Sequence, residues 1–202
     1  MPIFSALTQP IEAQQKALQI IQNGEILLFP TETVYGLGVD SAQPAAIERL
    51  YRIKGRPREK PFQWLISDSS FARANSRGWD TRAEKLARKF WPGPLTLVIP
   101  TLSGSIGWRV PHHPWLQCLL EKLGHPLVAT SANRSGRSIT RTFKTALQEF
   151  EDVIGLAING GNLELPTAME VSTVVSLETT LPKILREGAI PKTEIFQVLT
   201  KT

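Results

Sequence analysis

Short apolar runs alternate along this chain with segments of helical spacing, and Gly or Pro marks most of the junctions. Glu25 to Pro30 (EILLFP) is too short for an ordinary helix and too apolar for a surface loop, so it reads as a buried strand. Before it, Ile11 to Gln22 carries Ile11, Leu18 and Ile21 at helical spacing, and Asn23-Gly24 supplies a stop. Further helices are predicted over Pro44 to Lys54, Thr81 to Trp91, Pro114 to Leu123, Phe143 to Phe150 and Thr193 to Leu199. Pro92-Gly93-Pro94 ends one of these; Pro114 opens and Gly124 closes another. Further strands are predicted at Gln63 to Ile66, Leu95 to Ile99, Gly107 to Val110, Leu127 to Thr130, Gly155 to Ile158, Val171 to Leu177 and Lys183 to Leu185. The later strands follow one another without helices between them. The order therefore predicts one α/β domain over residues 1–202, with a twisted, mostly mixed or antiparallel sheet and flanking helices.

Length and composition agree with that reading. A chain of 202 residues suits one domain, and 42% apolar residues suffice for a core. No apolar run approaches the roughly 20 residues of a membrane-spanning helix, and Met1-Pro2-Ile3-Phe4 does not open a signal peptide. Cys118 is the one cysteine, so no intramolecular disulfide forms; a reducing, cytoplasmic setting and a small core residue are expected. The formal charge of +5 favours anionic partners, including nucleotides and RNA. Arg49, Arg52, Lys54, Arg56, Arg58 and Lys60 fall in one short segment, and Arg134, Arg137, Arg141 and Lys144 form a second basic group.

Five segments could carry chemistry. In Lys54-Gly55-Arg56-Pro57-Arg58-Glu59-Lys60-Pro61 a helix runs into an irregular stretch whose cations can converge on a polyphosphate. A solvated basic loop would look the same. Thr130-Ser131-Ala132-Asn133 follows an apolar strand, where ligands of open α/β sheets tend to bind, though turns and caps use the same residues. Pro30 to Gly38 (PTETVYGLG) offers two glycines and the hydroxyls of Thr31 and Thr33. It is neither a Walker loop nor a GxGxxG fingerprint, and it could be a tight loop shaped for packing. Arg109 lies in a strand-like run and needs a partner: a substrate carboxylate or a structural Asp or Glu serves equally. Arg186-Glu187-Gly188 follows a strand, with Ser172-Thr173 opening the strand before it.

His112 and His113 are adjacent and His125 is isolated, so capping or surface roles are expected and no metal site is assigned. The five tryptophans suit core or rim packing better than a base-stacking platform.

Taken together and in this order, PTETVYGLG (30–38), Lys54-Gly55-Arg56-Pro57, Trp91-Pro92-Gly93-Pro94-Leu95-Thr96 and Arg109-Val110-Pro111 with Pro114 resemble the YrdC/TsaC family of threonylcarbamoyl-AMP synthases. Thr130-Ser131-Ala132-Asn133 with Ser135-Gly136, Ser172-Thr173-Val174-Val175 and Arg186-Glu187-Gly188 complete the resemblance. It implies a concave, positively charged sheet face. It implies ATP contacts at Lys54, Arg56, Ser131, Asn133 and Arg186, with Lys60, Ser105 and Thr140 near further nucleotide positions. Threonine contacts are implied at Thr33, Arg109, Ser131 and Ser172, and Lys54 and Arg56 are the expected catalytic cations. Mg2+ is expected with ATP. The reaction implied joins L-threonine, bicarbonate or CO2 and ATP into an adenylate, as a nucleotidyltransferase in tRNA modification. A partner tRNA threonylcarbamoyl transferase would receive the adenylate, and tRNA or double-stranded RNA could bind directly. Two departures stand out. Pro61-Phe62-Gln63-Trp64-Leu65 replaces a more apolar run and puts Leu65 where some members have a histidine, and Asn159 precedes Gly160-Gly161 in place of an acid. Longer relatives carry a C-terminal extension, so this chain looks like the short form. A YciO-like paralogue with altered activity and a non-catalytic double-stranded RNA-binding protein are the rival readings.

Overall fold

The computed structural model describes residues 1–136, 142–163 and 171–200. In chain order the elements are β1 (Ile3–Ser5), α1 (Pro10–Gln22), β2 (Leu27–Phe29), β3 (Gly36–Asp40), α2 (Pro44–Lys54), β4 (Gln63–Leu65), α3 (Ser69–Asn75), α4 (Thr81–Phe90), β5 (Leu95–Thr101) and β6 (Gly104–Arg109). There follow α5 (Pro114–Leu123), β7 (Leu127–Ser131), α6 (Phe143–Phe150), β8 (Leu156–Asn159), β9 (Thr173–Ser176), β10 (Lys183–Arg186) and α7 (Lys192–Thr200). All ten strands join one mixed sheet in the order β1-β8-β2-β3-β7-β4-β6-β5-β9-β10.

Local chemistry explains most boundaries. Pro occupies the first turn of α1, α2 and α5, where its missing N–H costs nothing. The carboxylates of Asp68 and Asp80 accept the first free N–H groups of α3 and α4. Gly55 ends α2 in the left-handed region (φ +57°) and turns the chain into the basic stretch.

The strands alternate, and their alternation sorts the core into three clusters. Leu27 and Phe29, Leu127 and Ala129, and Leu156 and Ile158 pack with α1 and α5 on one face. Leu28, Val128 and Ala157, from the same strands, pack with α2 and α6 on the other. Farther along the sheet, Leu95, Leu97, Ile99, Trp108 and Val175 pack with α3, α4 and α7. Trp64 packs against both of the last two clusters, so these share a face. That face is covered from end to end. On the opposite face helices lie only at α1 and α5; beyond them loops and side chains bury Thr96, Arg109 and Ser176. The outward positions of β4, β5, β6 and β9 beyond them (Gln63, Thr96, Val98, Gly107, Arg109, Val174 and Ser176) belong to none of the three clusters.

Several sequence expectations change here. The stretch 30–38 is a loop only as far as Tyr35; Gly36 to Gly38 is strand, paired with β2 and β7. Its glycines answer to packing: a Cβ on Gly36 or Gly38 would lie 2.9 or 2.7 Å from the Phe29 ring. Cys118 is half-buried, its thiol donating to the Gln14 side-chain carbonyl. The histidines follow expectation at His113, which caps α5 by accepting the Leu116 N–H, whereas His125 pairs with the buried Asp40.

Candidate functional site

The basic stretch and the Ser131–Asn133 turn meet. Lys54, the last residue of α2, is 3% exposed. Its ammonium donates to the backbone carbonyls of Ser131 (2.7 Å) and Asn133, and the Lys54 carbonyl accepts from the Ser135 N–H. Ser131 Oγ donates to Asn133 Oδ1, and the Ala132 N–H reaches the Tyr35 carbonyl at 2.7 Å. Burial, with the Arg56 guanidinium close by, pulls the Lys54 ammonium down to about 8, against the raising pull of Glu149. Arg56 donates to the carbonyls of its own loop at Lys60 and Pro61 and lies over the Phe62 ring. Burial lowers its pKa too.

Two other cations of the stretch turn elsewhere. Arg58 stacks over Tyr51 and pairs with Glu48, and Arg49 pairs with Glu25. Lys60 is exposed.

Arg109, at the end of β6, is 2% exposed. Its Nη2 donates to Glu32 Oε1 at 2.7 Å and to Thr33 Oγ1 at 3.1 Å, and its Nε to the Gly93 carbonyl. Of the two partners left open by the sequence, the structure supplies the structural acid. Any substrate carboxylate would have to share the guanidinium with Glu32. Burial pushes the Glu32 carboxyl up, but the Arg109 charge and hydrogen bond, helped by the backbone N–H groups of His112 and Glu32, hold it below the usual range. Thr31 organises the same loop: its hydroxyl donates to the Val34 carbonyl and accepts the N–H groups of Thr33 and Val34. Tyr35, fully buried, donates to the Gly161 carbonyl and accepts the Gly160 N–H.

Across the bare part of the sheet runs a chain of polar groups. Arg186 donates to the carbonyl and the hydroxyl of Ser172. Ser172 Oγ lies 3.0 Å from Thr96 Oγ1, and Thr96 donates to Gln63 Oε1 at 3.2 Å. The side chain of Arg186 is largely open to solvent, yet its guanidinium turns in; desolvation, then the charges of Arg109 and Arg56, lower its pKa. Arg109 and Arg186 thus share this face, and Arg56 lies near enough for its charge to act on Arg186. Beside them lies a small recess of about 10 Å3, room for one water, lined by Phe29, Thr31, Val34, Gly36, Gln63, Leu65, Arg109, Ala129, Thr130 and Ser131. A larger, shallower hollow of about 560 Å3 between Arg77–Arg82 and Leu177–Thr180 holds none of the expected site residues.

The structure therefore brings Lys54, Ser131 and Asn133 together at the end of β7, and Thr33 with Arg109 and Ser172 with Arg186 on the helix-free face, with Arg56 near enough for its charge to lower both Lys54 and Arg186. Ser105 stands at the same end of the sheet as Ser131, two residues from their shared neighbour Gln63, but its hydroxyl donates to Glu178. Nucleotide contact there would require that carboxylate to give way. Thr140 lies outside the described residues, as do Arg137 and Arg141.

A family model covering Sua5, YciO and YrdC proteins, described as "Telomere recombination", matches residues 19–188. The chain belongs to the Sua5/YciO/YrdC family. Within it, the threonylcarbamoyl-AMP synthase of Pyrococcus abyssi is 34% identical over 193 residues, covering 91% of this chain and 56% of the relative. The chain thus spans just over half that protein's length. The crystal structure of P. abyssi Sua5 complexed with L-threonine superposes with a TM-score of 0.89 at 31% identity, over 98% of this chain and 60% of that one. Escherichia coli YciO superposes at 0.84 and 28% identity, over 97% of this chain and all of YciO. This family membership accounts for the mixed sheet and its flanking helices. The sequence did not single out Glu32, Gln63, Thr96 and Tyr35 as site residues, although PTET and PGPLT contain two of them. A polar residue at an alternating position of an otherwise apolar strand was the available signal for Gln63.

Proposed function

We propose that this protein condenses L-threonine, bicarbonate or CO2, and ATP into threonylcarbamoyl-AMP and pyrophosphate, for tRNA N6-threonylcarbamoyladenosine formation. The observation that carries this is the meeting of Lys54 with the Ser131–Asn133 turn next to a helix-free sheet face that holds Arg109 and Arg186, with Ser131 and Arg109 lining one recess. The name of the Pyrococcus abyssi relative and the threonine complex of P. abyssi Sua5 support the same reading.

In the first step, threonine's ammonium and bicarbonate give the N-carboxylate, water and a proton. In the second, an N-carboxylate oxygen attacks the α-phosphorus of ATP, and the bond to the β-phosphate oxygen breaks to release pyrophosphate. No protein nucleophile enters either step. The side chains position the reactants and neutralise charge. Thr33, Ser131 and Ser172 would bind threonine, with Arg109 sharing its guanidinium between Glu32 and the substrate carboxylate. Arg56, Arg186, Asn133 and Ser131 would meet the nucleotide, with Lys60 and Ser105 at its edge. Lys54 would act through the turn it holds and through its charge.

Mg2+ would arrive with ATP. Among the described residues no group of three His, Cys, Asp or Glu side chains could hold an ion, so its ligands would be phosphate oxygens and water. Handover to a tRNA threonylcarbamoyl transferase and direct tRNA contact belong to the same proposal. Among the described residues no helix is long and apolar enough to cross a membrane.

The deciding experiment is mass spectrometry of a reaction containing labelled bicarbonate, threonine and ATP. Threonine-dependent pyrophosphate release should fall about 100-fold in Lys54→Ala and in Arg56→Ala. Near-unchanged release from both variants contradicts the site. The rival paralogue reading, with synthase activity lost or altered, predicts no threonine-dependent pyrophosphate release from the wild-type chain. The rival RNA-binding reading predicts steeply salt-dependent RNA affinity and ATP binding indifferent to threonine.

A further inference from the structure

Gln63 occupies the middle of the bare face, between Ala129 on β7 and Gly107 on β6, and its side chain lines the recess. Its amide oxygen faces Thr96, whose hydroxyl donates to it. Arg186 can only donate, so Ser172 Oγ accepts from it. Thr96 spends its single hydroxyl proton on Gln63 Oε1. The 3.0 Å contact between Thr96 and Ser172 is therefore donated by Ser172. The bonds run one way, from Arg186 to Ser172 to Thr96 to Gln63. At the end of this chain the amide oxygen accepts from Thr96, so Nε2 is the end of the amide turned away from Thr96.

The recess has one apolar wall, made by Phe29, Val34, Leu65 and Ala129, and one polar side, where Thr31, Arg109, Thr130 and Ser131 stand with Gln63. In that arrangement an amide donor without charge suits a small planar anion whose charge the guanidinium groups already offset.

Resting on the proposed reaction, we infer that Gln63 Nε2 donates a hydrogen bond to an oxygen of the one-carbon unit, first of bicarbonate and then of the N-carboxylate it becomes. Gln63 is thereby a positioning and specificity residue for the carboxylate donor. It does not bind ATP. Thr96 acts through it, by holding the amide in the donating orientation.

The test is steady-state pyrophosphate release in degassed buffer with bicarbonate, threonine and ATP varied in turn. Gln63→Leu should raise KM for bicarbonate about tenfold, the loss of one hydrogen bond to a charged group, with KM for ATP within about twofold of wild type. Gln63→Glu keeps the size and adds repulsion, so its bicarbonate KM should rise further. Thr96→Val, which leaves Gln63 in place and frees its amide to turn, should raise the same constant by a smaller factor. An unchanged bicarbonate KM in Gln63→Leu overturns the inference. So does a parallel rise of all three constants, which marks a merely structural role. If Gln63→Leu does not fold, Thr96→Val decides by the same criterion. A wild-type chain that releases no pyrophosphate refutes the synthase reading itself and takes this inference with it.

Discussion

Replacing Lys54 by Met should change how stability responds to alkali. The ammonium is buried and sits near Arg56, which lowers its pKa from 10.5 to about 8. In the unfolded chain the same lysine keeps its proton until about 10.5. Between those values the unfolded state binds more protons than the folded one, so folding stability rises with pH across that window and is flat on either side. The gap is worth about 3 kcal/mol in full, at about 1.4 kcal/mol per pH unit. Roughly 2 kcal/mol of it should appear between pH 8 and 10. Lys54→Met removes the titrating group but keeps most of the apolar stem. The quantity to measure is the difference in urea unfolding free energy between wild type and Lys54→Met, followed by tryptophan fluorescence. Tyr35, whose pKa burial raises, titrates alike in both chains and cancels. The difference should grow by roughly 2 kcal/mol over the two pH units. A difference constant to within about 0.5 kcal/mol would mean that Lys54 is charged and well solvated at pH 10. The buried contact with the Ser131 and Asn133 carbonyls would then not describe the protein in solution.

Two further outcomes follow from contacts on the page. Glu32→Gln should destabilise the chain by about 2 kcal/mol near neutral pH, because it leaves the nearly inaccessible Arg109 without its counter-charge. Since the Glu32 carboxyl lies below its ordinary range, this contribution exists above the unfolded value and is lost as pH falls through the folded one. The two unfolding curves should therefore converge in acid, and parallel curves down to pH 3 count against the ion pair. Gly38→Ala should cost about 1–3 kcal/mol in urea unfolding, since its Cβ would fall 2.7 Å from the Phe29 ring and 2.9 Å from Leu127. A neutral effect would show that Phe29 is not wedged under β3.

The helices were largely legible in the sequence because their signals are local. The spacing of Ile47, Leu50 and Tyr51, Pro at a first turn and Gly at an end all act within one element. Two short pieces escaped. β1 is three residues paired only to β8, and α3 is seven residues whose clearest mark is the Asp68 cap. Gly36-Leu37-Gly38 was misread for a related reason. Glycines beside an apolar strand suggest a loop that receives a ligand, and only the ring of Phe29, seven or more residues earlier, reveals that the space is already taken. The partners of Arg109 were out of reach for the same reason. Glu32 lies 77 residues away, and nothing near Arg109 in sequence says which acid or substrate will meet it. The candidate site residues were recoverable as motifs, whereas their relation to one another depends on strand order, which local periodicity does not encode.

Strand order is also what leaves half a sheet face without a helix. β4 joins β7 to β6, so the surface covered by α1 and α5 continues without a break into one with no helix. No helix packs on these positions, yet Thr96, Arg109 and Ser176 there are buried by loops and neighbouring side chains. The sequence places them with Gln63, Val98 and Val174 in strands whose other face carries Trp64, Leu97, Trp108 and Val175. Polar groups on such a face lose part of their water and must bond to one another. Because Thr96 gives its one proton to Gln63, the pattern has a direction, from Arg186 through Ser172 and Thr96 to Gln63. A site whose hydrogen bonds are already oriented needs little reorganisation when charge develops. The bare face and the oriented donors are thus one structural fact, and its origin lies in the crossing of β4 between β6 and β7.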